Sequence, residues 1–181
     1  MVHRVIGAFS SQPKTYSQVA RDPQAMGQAV IIVLIVSFVS GFVSALTFAT
    51  PDAQHFGVVE AAVFAIASAI VGLAAWGVGT FTATFIATAL LGGKTNMGEM
   101  FRITGYASVF NILGVVPILS IAGWILSIIG SAIGIHQVAA FGVRRALATA
   151  VIAGSVRFIA NYLLLGIVLV ALIWGLALTA R

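Results

Sequence analysis

A chain of 181 residues with 61% hydrophobic and only 7% charged side chains carries more apolar surface than a soluble domain of that size could bury. The net charge of +5 comes from nine Lys and Arg against four Asp and Glu. The basic residues border long uncharged runs, so they read as the inner-side charge bias of an integral membrane protein and exclude nucleic acid as the partner. Cysteine is absent, which excludes disulfides, thiolate metal sites, cysteine nucleophiles and palmitoylation together.

Residues 1–26 form a cytoplasmic N-terminal segment carrying Arg4, Lys14 and Arg21. The apolar run that follows, about twenty residues from Gly27, exceeds a signal-peptide core and is expected to stay as a first transmembrane helix, 27–49. Thr50-Pro51-Asp52 breaks it. The next run, Ala61 to Leu91, would measure about 46 Å as a helix. Charge decides how often it crosses. A single crossing places eight of nine basic residues inside, whereas a turn at Gly77-Val78-Gly79 would scatter them, so one long tilted or projecting helix over 58–91 is expected. The 41 uncharged residues from Ile103 to Val143 hold two spans, 103–120 and 122–143, joined by a hairpin at Pro117 to Gly123. Arg144, Arg145 and Arg157 then form an inner loop, and 158–180 is the fifth span. The expected fold is an all-α polytopic bundle in which residues 27–181 form five transmembrane helices, N-terminus cytoplasmic and C-terminus outside.

In lipid, helices approach closely where small residues recur one turn apart. Ser37, Gly41 and Ala45, Ser68 and Gly72, and Gly130 with Gly134 form such stripes and are expected to pack within the molecule, with a dimer interface as the alternative. Thr80, Thr84 and Thr88 follow one face of the second span, where each hydroxyl can bond the carbonyl one turn back. Depth along the spans gathers Tyr106, Asn111, His136, Gln137, Asn161 and Tyr162, with Thr84 and Thr88, toward the inner half, as candidates for one inward-open polar pocket. Lys94, Arg102, Arg144, Arg145 and Arg157 are candidate contacts for anionic lipid.

Catalytic signatures are missing. The sequence holds no HExxH, no paired intramembrane aspartates and no GxSxG, and Gly154-Ser155 has no histidine near it in sequence. Asp22 and Glu99 fall inside, Asp52 and Glu60 outside, so no metal or cofactor is expected.

Several segments, taken in order, resemble a known family. Phe9-Ser10-Ser11-Gln12-Pro13, Leu91-Gly92-Gly93-Lys94, Phe101-Arg102-Ile103-Thr104-Gly105-Tyr106-Ala107, then Pro117, Trp124, Gly134, His136 and Arg144-Arg145-Ala146 are similar to the Yip1-domain membrane proteins, particularly their prokaryotic branch. One departure is Val109-Phe110, where relatives often carry a proline after Gly-Tyr. The resemblance implies a five-helix fold. Its eukaryotic members are associated with trafficking through a long cytosolic Rab-binding N-terminus, whereas about 26 residues precede the first span here.

The reading that follows is a non-enzymatic multi-pass protein acting through membrane lipids, a protein partner or a homo-oligomer, in a prokaryotic plasma membrane. The alternative is a transporter or channel subunit for a small solute or lipid, using the inner-leaflet pocket.

Overall fold

The computed structural model describes residues 2–47 and 57–179, and the side chains within them except at 117 and 172–179. The expected break at Thr50-Pro51-Asp52 and the terminal Arg181 lie outside the described residues. Every regular element among those described is helical.

Two short helices, α1 (Val2–Phe9) and α2 (Pro13–Arg21), form a hairpin turned by Ser11 in the left-handed region, with Pro13 at the first turn of α2, where its missing N–H costs nothing. They dock onto the bundle: Ala8, Tyr16, Val19 and Ala20 are fully buried. The polar N-terminal segment is therefore a packed part of the fold.

α3 (Ala25–Thr47) and α4 (Val58–Phe85) cross through their small residues. A Cβ on Gly41 would lie 2.5 Å from Ser68 Cβ, and one on Gly72 would collide with Ser37. α4 runs without a turn through Gly77-Val78-Gly79 and continues into a π-helical turn, Ile86–Leu90. Together they make one 33-residue apolar helix.

Asn96 and Glu99 form a reciprocal capping box that starts α5 (Met97–Ala107). Thr104 and Ser108 each bond a carbonyl one turn back, an arrangement that disturbs α geometry, and from Ser108 the chain tightens into a 3₁₀ helix, Ser108–Val115. α6 (Pro117–Ala139) starts directly after extended Val116. The turn therefore comes earlier than the expected Pro117 to Gly123 hairpin, because Pro117 opens a helix instead of closing one. Gly123 lies inside α6, where a Cβ would meet the Phe110 carbonyl at 2.6 Å.

α6 ends at Ala140, in the left-handed region, and α7 (Val143–Thr179) follows. The expected inner loop before residue 158 is helix. Its alanines at 146, 148, 150 and 153 favour helix and no proline or glycine pair interrupts it, so Arg157 is the fifteenth residue of α7.

Four helices are long and apolar enough to cross a membrane: α3, α4 with its π turn, α6 from Ile118, and α7 as far as Ala171. The stretch expected as the third span, 103–120, is divided among α5, the 3₁₀ helix and the start of α6. It lies antiparallel to α6, with Ile103 against Gly134 and Phe110 against Gly123 and Gly130.

Candidate functional site

Three groups of polar side chains occupy separate places in the bundle, while the side-chain polar atoms of Ser40, Ser68 and Trp124 are buried outside them with no hydrogen-bond partner among the described residues. The first lies where α1 and α2 meet α3 and α5. Arg4 bridges Asp22 at 2.6 Å, Asp22 accepts the Gln24 N–H at 3.0 Å, and Arg102 Nε donates to the Ala20 carbonyl at 3.0 Å. Arg102 thus places a cation on a carbonyl in the last turn of α2, where it complements the helix dipole. Tyr106, fully buried, donates to Gln28 at the start of α3. The Arg4 guanidinium, followed by the Gln24 amide, holds the Asp22 carboxyl below its ordinary value of 3.8. Burial pushes the Tyr16 phenol well above its ordinary value. Its hydroxyl donates to the Ala8 carbonyl at 3.2 Å, and its ring occupies the space left by Gly130 and Gly134. The GxxxG pair of α6 therefore receives a tyrosine of the N-terminal segment together with Ile103 of α5.

The second place joins α4, α5 and α7. Trp76 Nε1 donates to Thr104 Oγ1 at 3.0 Å, Thr80 Oγ1 lies 2.9 Å from the same oxygen, and Thr104 donates its single proton to the Met100 carbonyl at 2.8 Å. With that proton committed, Thr80 is the donor to Thr104 and both lone pairs of the Thr104 hydroxyl are filled. One turn on, Ser108 Oγ donates to the Thr104 carbonyl and accepts from Arg157 Nη1, both at 2.8 Å. Arg157 faces the bundle at the level where Gly79 gives it room and where Gly154 meets Ile128, near the middle of α6. Sequence reasoning missed this chain of bonds. Its signal was the i, i+4 spacing of Trp76 with Thr80 and of Thr104 with Ser108, on two helices.

The third place is a cleft of about 360 Å³ between α2, α6 and α7. Ile129, Ala132, Ile133 and Leu147 make most of its wall, with Pro13 on α2, Val143 on α7 and the pair His136 and Gln137 at one end. His136 is in the last turn of α6, closer to the helix end than continuation to residue 143 would have put it. Its Nδ1 lies 2.8 Å from the Phe141 carbonyl, across the left-handed turn.

Of the eight residues expected to share a pocket, only His136 and Gln137 line this cleft. Tyr106 belongs to the N-terminal cluster. Thr84 and Thr88 bond the Thr80 carbonyl and the Thr84 carbonyl, at 2.9 and 2.8 Å. Tyr162 is exposed and packs at a tilt against Phe158, while Asn111 on the 3₁₀ helix and Asn161 on α7 are half-buried. Of the five candidate lipid contacts, Arg102 and Arg157 are bonded inside the protein, and Lys94, Arg144 and Arg145 are exposed. No group of three His, Cys, Asp or Glu that could hold a metal ion occurs among the described residues.

The segments that carry the family likeness are mostly structural. Gly92 is in the left-handed region at φ 65°, and a Cβ on Gly93 would lie 2.7 Å from the Phe141 ring and 2.8 Å from the Ala87 carbonyl. The Lys94 N–H then donates to the Ala139 carbonyl at 3.1 Å, which ties this loop to the end of α6. Gly105 lies against Ala29 and Trp76, and Phe9 stacks on Phe110 with centroids 5.1 Å apart. The family model described as the Yip1 domain matches residues 6–181. No curated protein and no solved structure gives a match.

Proposed function

Because the chain belongs to the Yip1 domain family, we propose that this integral membrane protein is a non-catalytic adaptor or membrane-organising component that works through lipids and protein partners. The observation that carries the reading is the dispersal of the interior polar groups. Trp76, Thr80, Thr104, Ser108 and Arg157 bond one another or nearby backbone, Tyr106 bonds Gln28, and no common chamber collects them. Such bonds hold helices together and leave the outer surface to meet partners. That surface is apolar along α4, where Val63, Ile66 and Ile70 are exposed, and basic at one end, where Lys94, Arg144 and Arg145 are exposed.

The protein crosses five times, N-terminus inside and C-terminus outside. After Arg102, five α-helical and eight 3₁₀ residues from Ile103 to Val115 extend about 24 Å, most of the thickness of a hydrocarbon core. This stretch runs beside α6, so the two cross together. Seven of nine basic residues then belong to the inner side, leaving Arg157 within α7 and Arg181 outside. A prokaryotic plasma membrane is the proposed location.

The test is photo-crosslinking in the native membrane from Ile66 and Ile70, combined with single-cysteine labelling at residues 3, 94 and 181 in this cysteine-free chain. A stoichiometric protein adduct, with residues 3 and 94 inside and 181 outside, is expected. Solute uptake by liposomes containing the purified chain alone, abolished by His136→Ala, would instead establish the transporter.

A further inference from the structure

The cleft between α2, α6 and α7 has no donor or acceptor along most of its wall, where Ala132 and Leu147 face it, and is polar only at the His136 and Gln137 end. A polar solute would lose its hydration there without replacement. The residue after the lining Pro13 is Lys14, and the residue after the lining Val143 is Arg144. Both are exposed, and neither side chain has an ion pair or hydrogen bond among the described residues. Among the described residues, the acidic groups that could neutralise them lie elsewhere: Asp22 is held by Arg4, Glu99 belongs to the α5 capping box, and Glu60 is in the first turn of α4.

We propose that this cleft seats an acyl chain of one anionic phospholipid, with the lipid phosphate held between Lys14 and Arg144. The inference deepens the lipid part of the reading above and rests on it. The shape and the charge point to the same occupant. An apolar trough takes a hydrocarbon chain, and the two cations that follow lining residues in sequence take the phosphate that such a chain brings. His136 adds a constraint on the headgroup. The Phe141 carbonyl can only accept, so Nδ1 carries the hydrogen, and Nε2 is left as the ring nitrogen that can accept when it carries none. A headgroup bearing a hydroxyl, as phosphatidylglycerol does, satisfies that acceptor as well as the cations. Gln137, exposed beside it, can do the same from its amide.

The experiment is native mass spectrometry of the full chain released from nanodiscs containing equal dioleoyl phosphatidylglycerol and dioleoyl phosphatidylcholine. The wild type is expected to keep one phosphatidylglycerol under collisional activation that strips the other lipids. Lys14→Gln with Arg144→Gln should lower that preference on the order of 25-fold, about fivefold for each charge, while phosphatidylcholine can still occupy the cleft. Ala132→Phe, which fills the trough, should remove retention of both lipids. Arg21→Gln, an exposed cation at the end of α2 away from Pro13, should leave the preference unchanged. Lys14 and Arg144 are exposed, so the charge variant tests the proposal even if Ala132→Phe folds poorly. Undiminished preference in the double charge variant overturns it, as does a photo-crosslinker at Leu147 that captures a second copy of the chain or another protein in place of lipid. The partner adduct from Ile66 and Ile70 is scored separately, so loss of the lipid site and loss of the adaptor reading give different results.

Discussion

Two glycines on α4, two residues apart, provide a sharp test of how α7 is held. A Cβ on Gly79 would lie 2.6 Å from Arg157 Cβ, 3.3 Å from its Cγ and 3.2 Å from the Ala153 carbonyl. Carbon atoms in contact sit about 3.5 to 4.0 Å apart, so α7 would have to withdraw by about 1 Å. The obstructing Cβ is fixed to the helix and the carbonyl is backbone, so no side-chain rotation relieves the clash. Gly79→Ala should therefore destabilise by about 1 to 3 kcal/mol, the usual range for overpacking, even though alanine is the better helix former. Gly77 has nothing within 4 Å of an added Cβ, and Gly77→Ala should stabilise by up to about 1 kcal/mol. The assay is reversible unfolding in mixed micelles, with proteolysis between α6 and α7 as a local readout. Equal effects at the two positions would refute the close α4–α7 contact and, with it, the placement of Arg157 inside α7.

Thr104→Val should cost about 1 to 3 kcal/mol by leaving the buried Trp76 N–H without an acceptor, and the altered environment of the indole should change its fluorescence; an unchanged emission would refute the bond. Ser108→Ala removes the one acceptor for Arg157 among the described residues and should cost about 1.5 to 3 kcal/mol in the same unfolding assay, with Ser131→Ala as a neutral control. The Arg4–Asp22 bridge gives a pH dependence. The folded carboxyl titrates below 3.8, so its contribution is complete above the unfolded value and is lost as pH falls through the folded one. The protection of α1 amides from hydrogen exchange, relative to the intrinsic rate at each pH, should therefore fall in acid in the wild type, and Asp22→Asn should show low protection already at neutral pH.

Uncharged length and the distribution of Lys and Arg were enough to give a polytopic helical fold, and the continuous α4 is what charge balance required of the 58–91 run. Helix ends were harder to read. Pro117 looks like a breaker in sequence, but the same ring that stops one helix starts the next, and the structure uses it to start α6. Arg157 was read with Arg144 and Arg145 as an inner loop because the three make the last basic cluster. Within α7 it turns toward Ser108 and Gly79 instead of lipid. The candidate pocket failed to gather for a related reason. Depth along a helix is legible from spacing, but the direction in which a residue points depends on neighbours distant in sequence. Tyr106 finds Gln28 and Trp76 finds Thr104, partners that no periodicity announces.

The arrangement explains why a short N-terminal segment can matter to a membrane bundle. α1 and α2 carry Tyr16 into the space opened by Gly130 and Gly134, Phe9 onto Phe110, and Ala20 under Arg102, so both sides of the α5–α6 hairpin contact them. Pro13 of the same segment lines the cleft whose other walls are α6 and α7. Anything that lifts the hairpin of α1 and α2 therefore opens that cleft and exposes the Gly130–Gly134 groove together. Residue 16 is the place to separate these effects. Tyr16→Phe keeps the ring and loses only the bond to Ala8, whereas Tyr16→Ala empties the groove and should cost about 3 to 5 kcal/mol as a large-to-small change. If the segment is a structural wedge, lipid retention should survive Tyr16→Phe and fall with Tyr16→Ala in step with protease cleavage before α3. Retention that survives the release of α1 and α2 would place the lipid-binding wall on α6 and α7 alone.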